Sequence, residues 1–267
     1  MEGMSQGIPA DSRRCYENIT RDSRYQHFVR IGPRIVRCLD YHRIEFDRTL
    51  VGERLLAYYL FIGVVDEALD SGNLNIGNRI LEHFDRTACQ FHEDADSSNV
   101  ELVTEVLKRY VRTENRALFS SRLADLYREV LREQATTSID AYIEHRKVIG
   151  TRTAELSYIL IQDLLQGNTD AVCRLMTQVG KVGCLVDSVI DLKLDRRLGL
   201  LRFRPSASDR LKLIAYALRE GALAVFQYPS LTTVFLEAIA DNVRDRFRTR
   251  PPESALSQQK EEVAGVV

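Results

Sequence analysis

Three aspartates, Asp187, Asp191 and Asp195, stand four residues apart in the run GCLVDSVIDLKLDRRLGLLRFRP, residues 183–205. On a helix each step of four overshoots a full turn by only roughly 40°, so the three carboxylates share one face over about 12 Å. The residues among them, Val189, Ile190, Leu192 and Leu194, are apolar. A lone pair of this spacing is ordinarily a solvated acidic face. Three in register on an apolar helix is costly unless something neutralises it. Hard oxygen ligands of this kind suit Mg²⁺, which takes one or two carboxylates, keeps several waters and shares a phosphate. The basic side chains nearby, Lys193, Arg196 and Arg197, would add to phosphate binding.

A second acidic row lies upstream in AYYLFIGVVDEALDSG, residues 57–72. Asp66 and Asp70 are again four apart, with Glu67 beside them. Residues 58–65 are apolar or aromatic, and Ser71-Gly72 ends the helix. The C-terminal end of a helix disfavours negative charge, so a bound cation is the natural compensation there. Between the two rows stands YIEHRKVIG, residues 142–150, in which Tyr142 and Arg146 are one turn apart. A guanidinium binds phosphate oxygens bidentately and stays charged, which makes Arg146 the candidate anion reader.

These residues resemble the two aspartate-rich motifs of class I isoprenoid (terpene) synthases. Asp66-Glu67-Ala68-Leu69-Asp70 is similar to the DDxxD-type first motif, with Glu67 in place of the second Asp. Residues 187–205 resemble the second motif of squalene/phytoene synthases. They also resemble the run of bacterial tetraprenyl-curcumene-type terpene synthases that has the order of Asp187, Asp191, Asp195, Arg196, Gly199 and Phe203. The Tyr142-to-Gly150 spacing is similar to the segment of bacterial terpene cyclases whose arginine reads the diphosphate. Arg54 stands where squalene/phytoene synthases carry an arginine before the first motif. The likeness covers residues 54–205.

The resemblance implies an all-α, single-domain helical bundle of the isoprenoid-synthase type with a central apolar cavity. It implies an Mg²⁺-dependent enzyme that ionises a prenyl diphosphate and cyclises or rearranges the carbocation with release of diphosphate. Asp66, Glu67, Asp70, Asp187, Asp191 and Asp195 would hold the metal. Asp66, Asp70, Asp187, Asp191 and Arg146 would be catalytic. Arg54, Tyr142, Arg146, Lys193, Arg196 and Arg197 would contact the substrate. Tyr58, Tyr59, Phe61 and Tyr158 would wall the cavity, because a carbocation needs a dry, aromatic-lined space. Two alternatives stay open. One is squalene/phytoene-type head-to-head condensation, against which stands the absence of a V-A-G-x-V-G segment. The other is a non-catalytic helical binding protein, for which Glu67 and the short chain leave room.

The elements that would position these residues read as helices throughout. Glycine and proline are sparse, at 14 and 6 in 267 residues, which favours long helices over sheets. Helices are expected over 17–30, 49–69, 75–91, 100–110, 113–132, from 138, 153–165, 170–194, 206–224 and 229–247, with Gly32-Pro33 ending the first. Residues 1–15 are expected to be a flexible N-terminus, 16–248 the helical domain, and 249–267 a disordered tail. HEDADSSN, residues 92–99, reads as a loop whose acids lack a metal-ligand spacing. The net charge is −1, so no nucleic-acid footprint is expected. No apolar stretch reaches membrane-spanning length, and MEGMSQGIPADSRR is not read as a signal peptide. Five scattered cysteines without a CxxC pair suit a reduced, cytoplasmic setting. A homodimer stays open.

Overall fold

The computed structural model describes residues 9–248 other than 72, 74, 86–98 and 168. Eleven α-helices follow one another among them. They are α1 (Ala10–Arg21), α2 (Gln26–Val29), α3 (Ile31–Tyr41), α4 (Arg48–Asp70), α5 (Ile76–Asp85), α6 (Asn99–Tyr110), α7 (Arg116–Gln134), α8 (Ile139–Ile161), α9 (Thr169–Leu198), α10 (Ala207–Gln227) and α11 (Leu231–Arg248). Among the described residues helices are joined by short turns and there is no strand, only one isolated bridge, Phe46 to Leu165, with Gln166 N–H donating to Glu45 C=O at 2.9 Å. No described helix is long and apolar enough to cross a membrane.

The long helices start where short polar side chains can satisfy the first free N–H groups. Asp47 accepts from the Leu50 N–H at 2.9 Å and opens α4; Ser138 accepts from Ala141 at 3.3 Å and opens α8. Ser206 and Asp209 bond reciprocally and open α10 as a capping box. α4 is buried nearly all round, with Val51, Leu55, Tyr58 and Leu60 fully enclosed. It is the axis of the largest apolar core, which α1, α3, α6, α7 and α8 surround.

Three expectations are corrected. The chain is helical from Ala10 rather than from residue 16 or 17: Pro9 precedes the first turn, Asp11 suits its dipole, and Tyr16 and Ile19 anchor it in the core. α1 then stops at Arg21, where the Asp22 carboxylate accepts from the Arg24 N–H and turns the chain into a 3₁₀ segment. Gly32-Pro33 does not end a helix; it lies inside the first turn of α3, where proline's missing N–H has no helical partner to lose. Residues 139–161 form one helix instead of two, since nothing between the two apolar runs breaks it. The expected helix over 75–91 is seen as α5 as far as Asp85; residues 86–98, and with them most of the 92–99 loop, lie outside the described residues. The same holds for the tail from residue 249. Cys15, Cys38, Cys173 and Cys184 are free thiols.

α8 and α9 make the closest helix pair. At their crossing Gly150 and Gly180 meet backbone to backbone: a Cβ on Gly150 would overlap the Gly180 carbonyl oxygen and come within 2.8 Å of Cys184 Cβ. This contact sets how closely the acidic helix α9 lies on α8.

Candidate functional site

A cavity of about 320 Å³ opens between α2, α3, α4, α7, α8, α9 and α11. That lies near the small end of the range of roughly 300–1,000 Å³ usual for small-molecule sites. Asp66 and Asp70 of α4 line it, as do Asp187, Asp191 and Asp195 of α9 and Arg146 of α8. All five aspartates and the arginine singled out by spacing therefore border one space. One to two turns back along α4 and α9 the lining becomes apolar, with Tyr59 and Ile62 on one helix and Val179, Gly180 and Gly183 on the other. α8 runs antiparallel to α9, so its polar end at Arg146 meets the acidic end and its Ile149–Ala154 stretch meets the apolar one. Phe28 and Ile31 from the N-terminal helices, and Val234 and Phe235 from α11, complete the apolar wall.

Arg146 is held rather than free. Its Nε donates to Ser188 Oγ at 2.7 Å, and its Nη2 donates to Asp187 Oδ2 at 3.4 Å. Ser188 is buried and in turn donates to the Cys184 carbonyl at 2.7 Å, which fixes its lone pairs toward the guanidinium. Burial works against the arginine's charge, and Cys184, Tyr142, Glu133 and Asp187 around it outweigh that and hold it protonated. His27 Nε2 lies 3.8 Å from the other oxygen of Asp187.

The carboxylates are crowded. Asp66 is exposed to the cavity but crowded by the surrounding helices; that burial among packed atoms and then the Asp70 charge push its pKa up to about 7. Asp195 is raised to about 7 by burial and by Asp191. Asp70 is raised by burial, against the pull of Arg146. Glu133 of α7, which was not singled out from the sequence, also lines the cavity and is raised by burial. A signal was there: Asp125, Glu129 and Glu133 are four residues apart on one helix, the spacing of the two aspartate rows, but among so many charged neighbours they read as a solvated scaffold face. Ser188 carried no signal, being hidden beside the more conspicuous Asp187.

Six carboxylates thus face one space together with three basic side chains, Arg146, Arg34 and His27, leaving an acid-rich wall that favours cations. Among the described residues no three His, Cys, Asp or Glu converge closely enough to cage an ion alone. The donor set still fits Mg²⁺, which uses few protein carboxylates and completes its shell with water and phosphate. It does not resemble a zinc or calcium cage.

Other predicted site residues are placed differently. Glu67 points away from the cavity; it accepts from Arg24 Nη1 at 2.5 Å and from the Tyr25 hydroxyl, tying the N-terminal segment to α4. Arg54 is buried and its Nη1 donates to the Leu160 carbonyl at 2.5 Å and to Asp163 at 2.6 Å, while its buried Nε has no hydrogen-bond partner; it is tied into the core away from the cavity. Tyr58 is fully buried, donates to the Thr153 carbonyl at 2.8 Å and stacks edge-on with Phe119. Phe61 is enclosed in the core and borders a smaller pocket behind α4. Tyr142 is buried with its ring edge-on to Phe203. Tyr158 is partly buried against the core, and neither it nor Tyr142 lines the cavity. Lys193 and Arg196 are exposed and outside the lining; the Arg197 side chain lies outside the described residues. Of the four aromatic wall candidates only Tyr59 lines the cavity. No protein-family model, no curated protein and no solved structure matches this chain.

Proposed function

We propose that this chain is a class I terpene synthase, a helical bundle of the isoprenoid-synthase type that ionises a prenyl diphosphate and cyclises or rearranges the resulting carbocation. The observation that carries this reading is that Asp66, Asp70, Asp187, Asp191, Asp195 and Arg146 border one cavity much of whose remaining wall is apolar, Arg34, Gln134 and Thr153 being among the exceptions. A charged head and a greasy tail on one substrate would match those two ends.

Asp66 and Asp70 from α4 and Asp187, Asp191 and Asp195 from α9 are the residues that would hold Mg²⁺. When bound, the metal supplies Lewis acidity that makes diphosphate a better leaving group. Arg146, oriented by Ser188, pairs with the diphosphate oxygens and stabilises the charge that grows on them. The allylic C–O bond breaks and its electron pair leaves with the diphosphate. The hydrocarbon cation then sits among Tyr59, Ile62, Ile149 and Val179, where an apolar wall excludes the water that would quench it. Loss of a proton from the cation completes the balance.

The test is release of inorganic diphosphate by the full chain with C10, C15 and C20 prenyl diphosphates and Mg²⁺. Release with one or more of them is expected. Silence with every chain length defeats the reading, and a product of doubled carbon count assigns head-to-head condensation instead. One observation favours a non-catalytic binding protein: Glu67 is taken up by Arg24 and Tyr25, leaving the first motif two carboxylates. Calorimetry separates the two, since a mere scaffold shows no Mg²⁺-dependent diphosphate binding.

A further inference from the structure

α10 is inverted relative to an ordinary surface helix. Its inward face rests on Leu213, Ala217 and Ala224, which are small or few, while large apolar side chains point outward. Leu211 is 67% exposed, Leu218 68% and Phe226 89%, with Ile214 and Ala222 exposed between them. These five positions follow the helical spacing i, i+3, i+7, i+11 and i+15, one continuous stripe about 22 Å long. Of the ten large exposed apolar side chains among the described residues, five lie on this helix, so the patch is concentrated and not scattered.

The charges bordering the stripe have one sign. Arg210 stands on one edge and Arg219 on the other, both exposed. Lys212, beyond Arg219 on the wheel, bridges to Asp140 at 2.5 Å. The helix's own acids turn elsewhere: Asp209 is held in the Ser206 cap, and Glu220 pairs with Lys181 at 2.8 Å on the inward side. We propose that α10 lies in the interface of an anionic lipid bilayer, with Leu211, Leu218 and Phe226 among the acyl chains and Arg210 and Arg219 among the headgroup phosphates. An apolar stripe with cationic edges is what such an interface selects. A second copy of the chain is disfavoured as occupant, because a two-fold contact would bring two basic rims together with no acidic rim to match. This inference stands apart from the reading of the cavity.

Co-sedimentation of the full chain with vesicles tests it, with no prenyl substrate present. Vesicles of phosphatidylcholine plus phosphatidylglycerol should bind the chain at least tenfold better than phosphatidylcholine alone, and added salt should weaken the binding. The double variant Leu218→Glu, Phe226→Glu changes only exposed side chains; it should keep its helicity by circular dichroism and lose the vesicles. Arg210→Glu should weaken anionic binding by about fivefold or more. The proposal is overturned if wild type ignores both vesicles or if the double variant binds as well as wild type. It is also overturned if wild type sediments as a dimer that the double variant converts to monomer.

Discussion

Gly150 of α8 and Gly180 of α9 touch through their backbones, each occupying the space where the other's side chain would begin. Gly183, three residues on, lines the cavity and has nothing within 4 Å of where its Cβ would be. The two α9 glycines therefore answer alanine in opposite ways. Gly180→Ala must force α8 from α9, costing about 1–3 kcal/mol and lowering Tm by roughly 2–4 °C per kcal/mol in a chain of this size. Gly183→Ala should hold or raise Tm, since alanine is the better helix former by up to about 1 kcal/mol. Gly183→Leu should stay folded and shrink the cavity, shifting the accepted prenyl chain to a shorter one. A Gly180→Ala chain as stable as wild type would show that the helices do not meet there.

On the proposed function, Ser188 would act on diphosphate only through Arg146, whose Nε–H it accepts. Ser188→Ala removes the acceptor of the Nε donor and leaves that buried N–H without it, a loss of about 1–3 kcal/mol. The expected result is a diphosphate affinity reduced by roughly tenfold with the Mg²⁺ requirement unchanged. Arg146→Lys should lose more, because an ammonium cannot make the fork-like contact. Isothermal titration with inorganic diphosphate and Mg²⁺ reads both variants, and Ser188→Thr, which keeps the hydroxyl, should recover most of the affinity.

The crowded carboxylates make stability depend on pH. Asp66 and Asp195 have folded pKa values raised to about 7, above an ordinary aspartate near about 4. Between those values the folded chain binds more protons than the unfolded one, so stability falls as pH rises through the window. Their stabilising contribution is full below about 4 and lost above about 7. Without metal, Tm should decline from pH 5 to pH 8. On the proposed function, Mg²⁺ with diphosphate would bind the ionised form, and should then restore Tm at pH 8 far more than at pH 5. Differential scanning fluorimetry across that range checks both slopes; a metal effect independent of pH would remove these two aspartates from the site.

Within the first motif the carboxylates divide by direction. Glu67→Gln loses a solvent-screened surface pair with Arg24, so it should leave Tm nearly unchanged and the Mg²⁺ dependence of diphosphate binding unaltered. Asp70→Asn should raise the Mg²⁺ concentration needed by tenfold or more while the chain stays folded, since Asp70 faces the cavity and has no protein cation of its own on α4. Equal effects of the two substitutions would mean that Glu67 leaves Arg24 and Tyr25 when ligand binds.

What the residues alone determined is what depends on helical period. The four-residue spacing puts Asp66 with Asp70, and Asp187 with Asp191 and Asp195, on single faces whatever surrounds them, and it turns Glu67 about 100° away from Asp66. Sparse glycine and proline likewise made the all-helical architecture legible. Only tertiary packing decided that both acidic faces and Arg146 border the same cavity. It also decided that Tyr59 lines that cavity while Tyr58 and Phe61 fill the core, that Arg54 turns to Leu160 and Asp163 instead of the cavity, and that Glu133 joins the acids. The reason is that α4 is apolar almost all round. A helix without a polar face carries no mark of which side meets solvent, core or ligand, and that choice is made by the helices that pack against it.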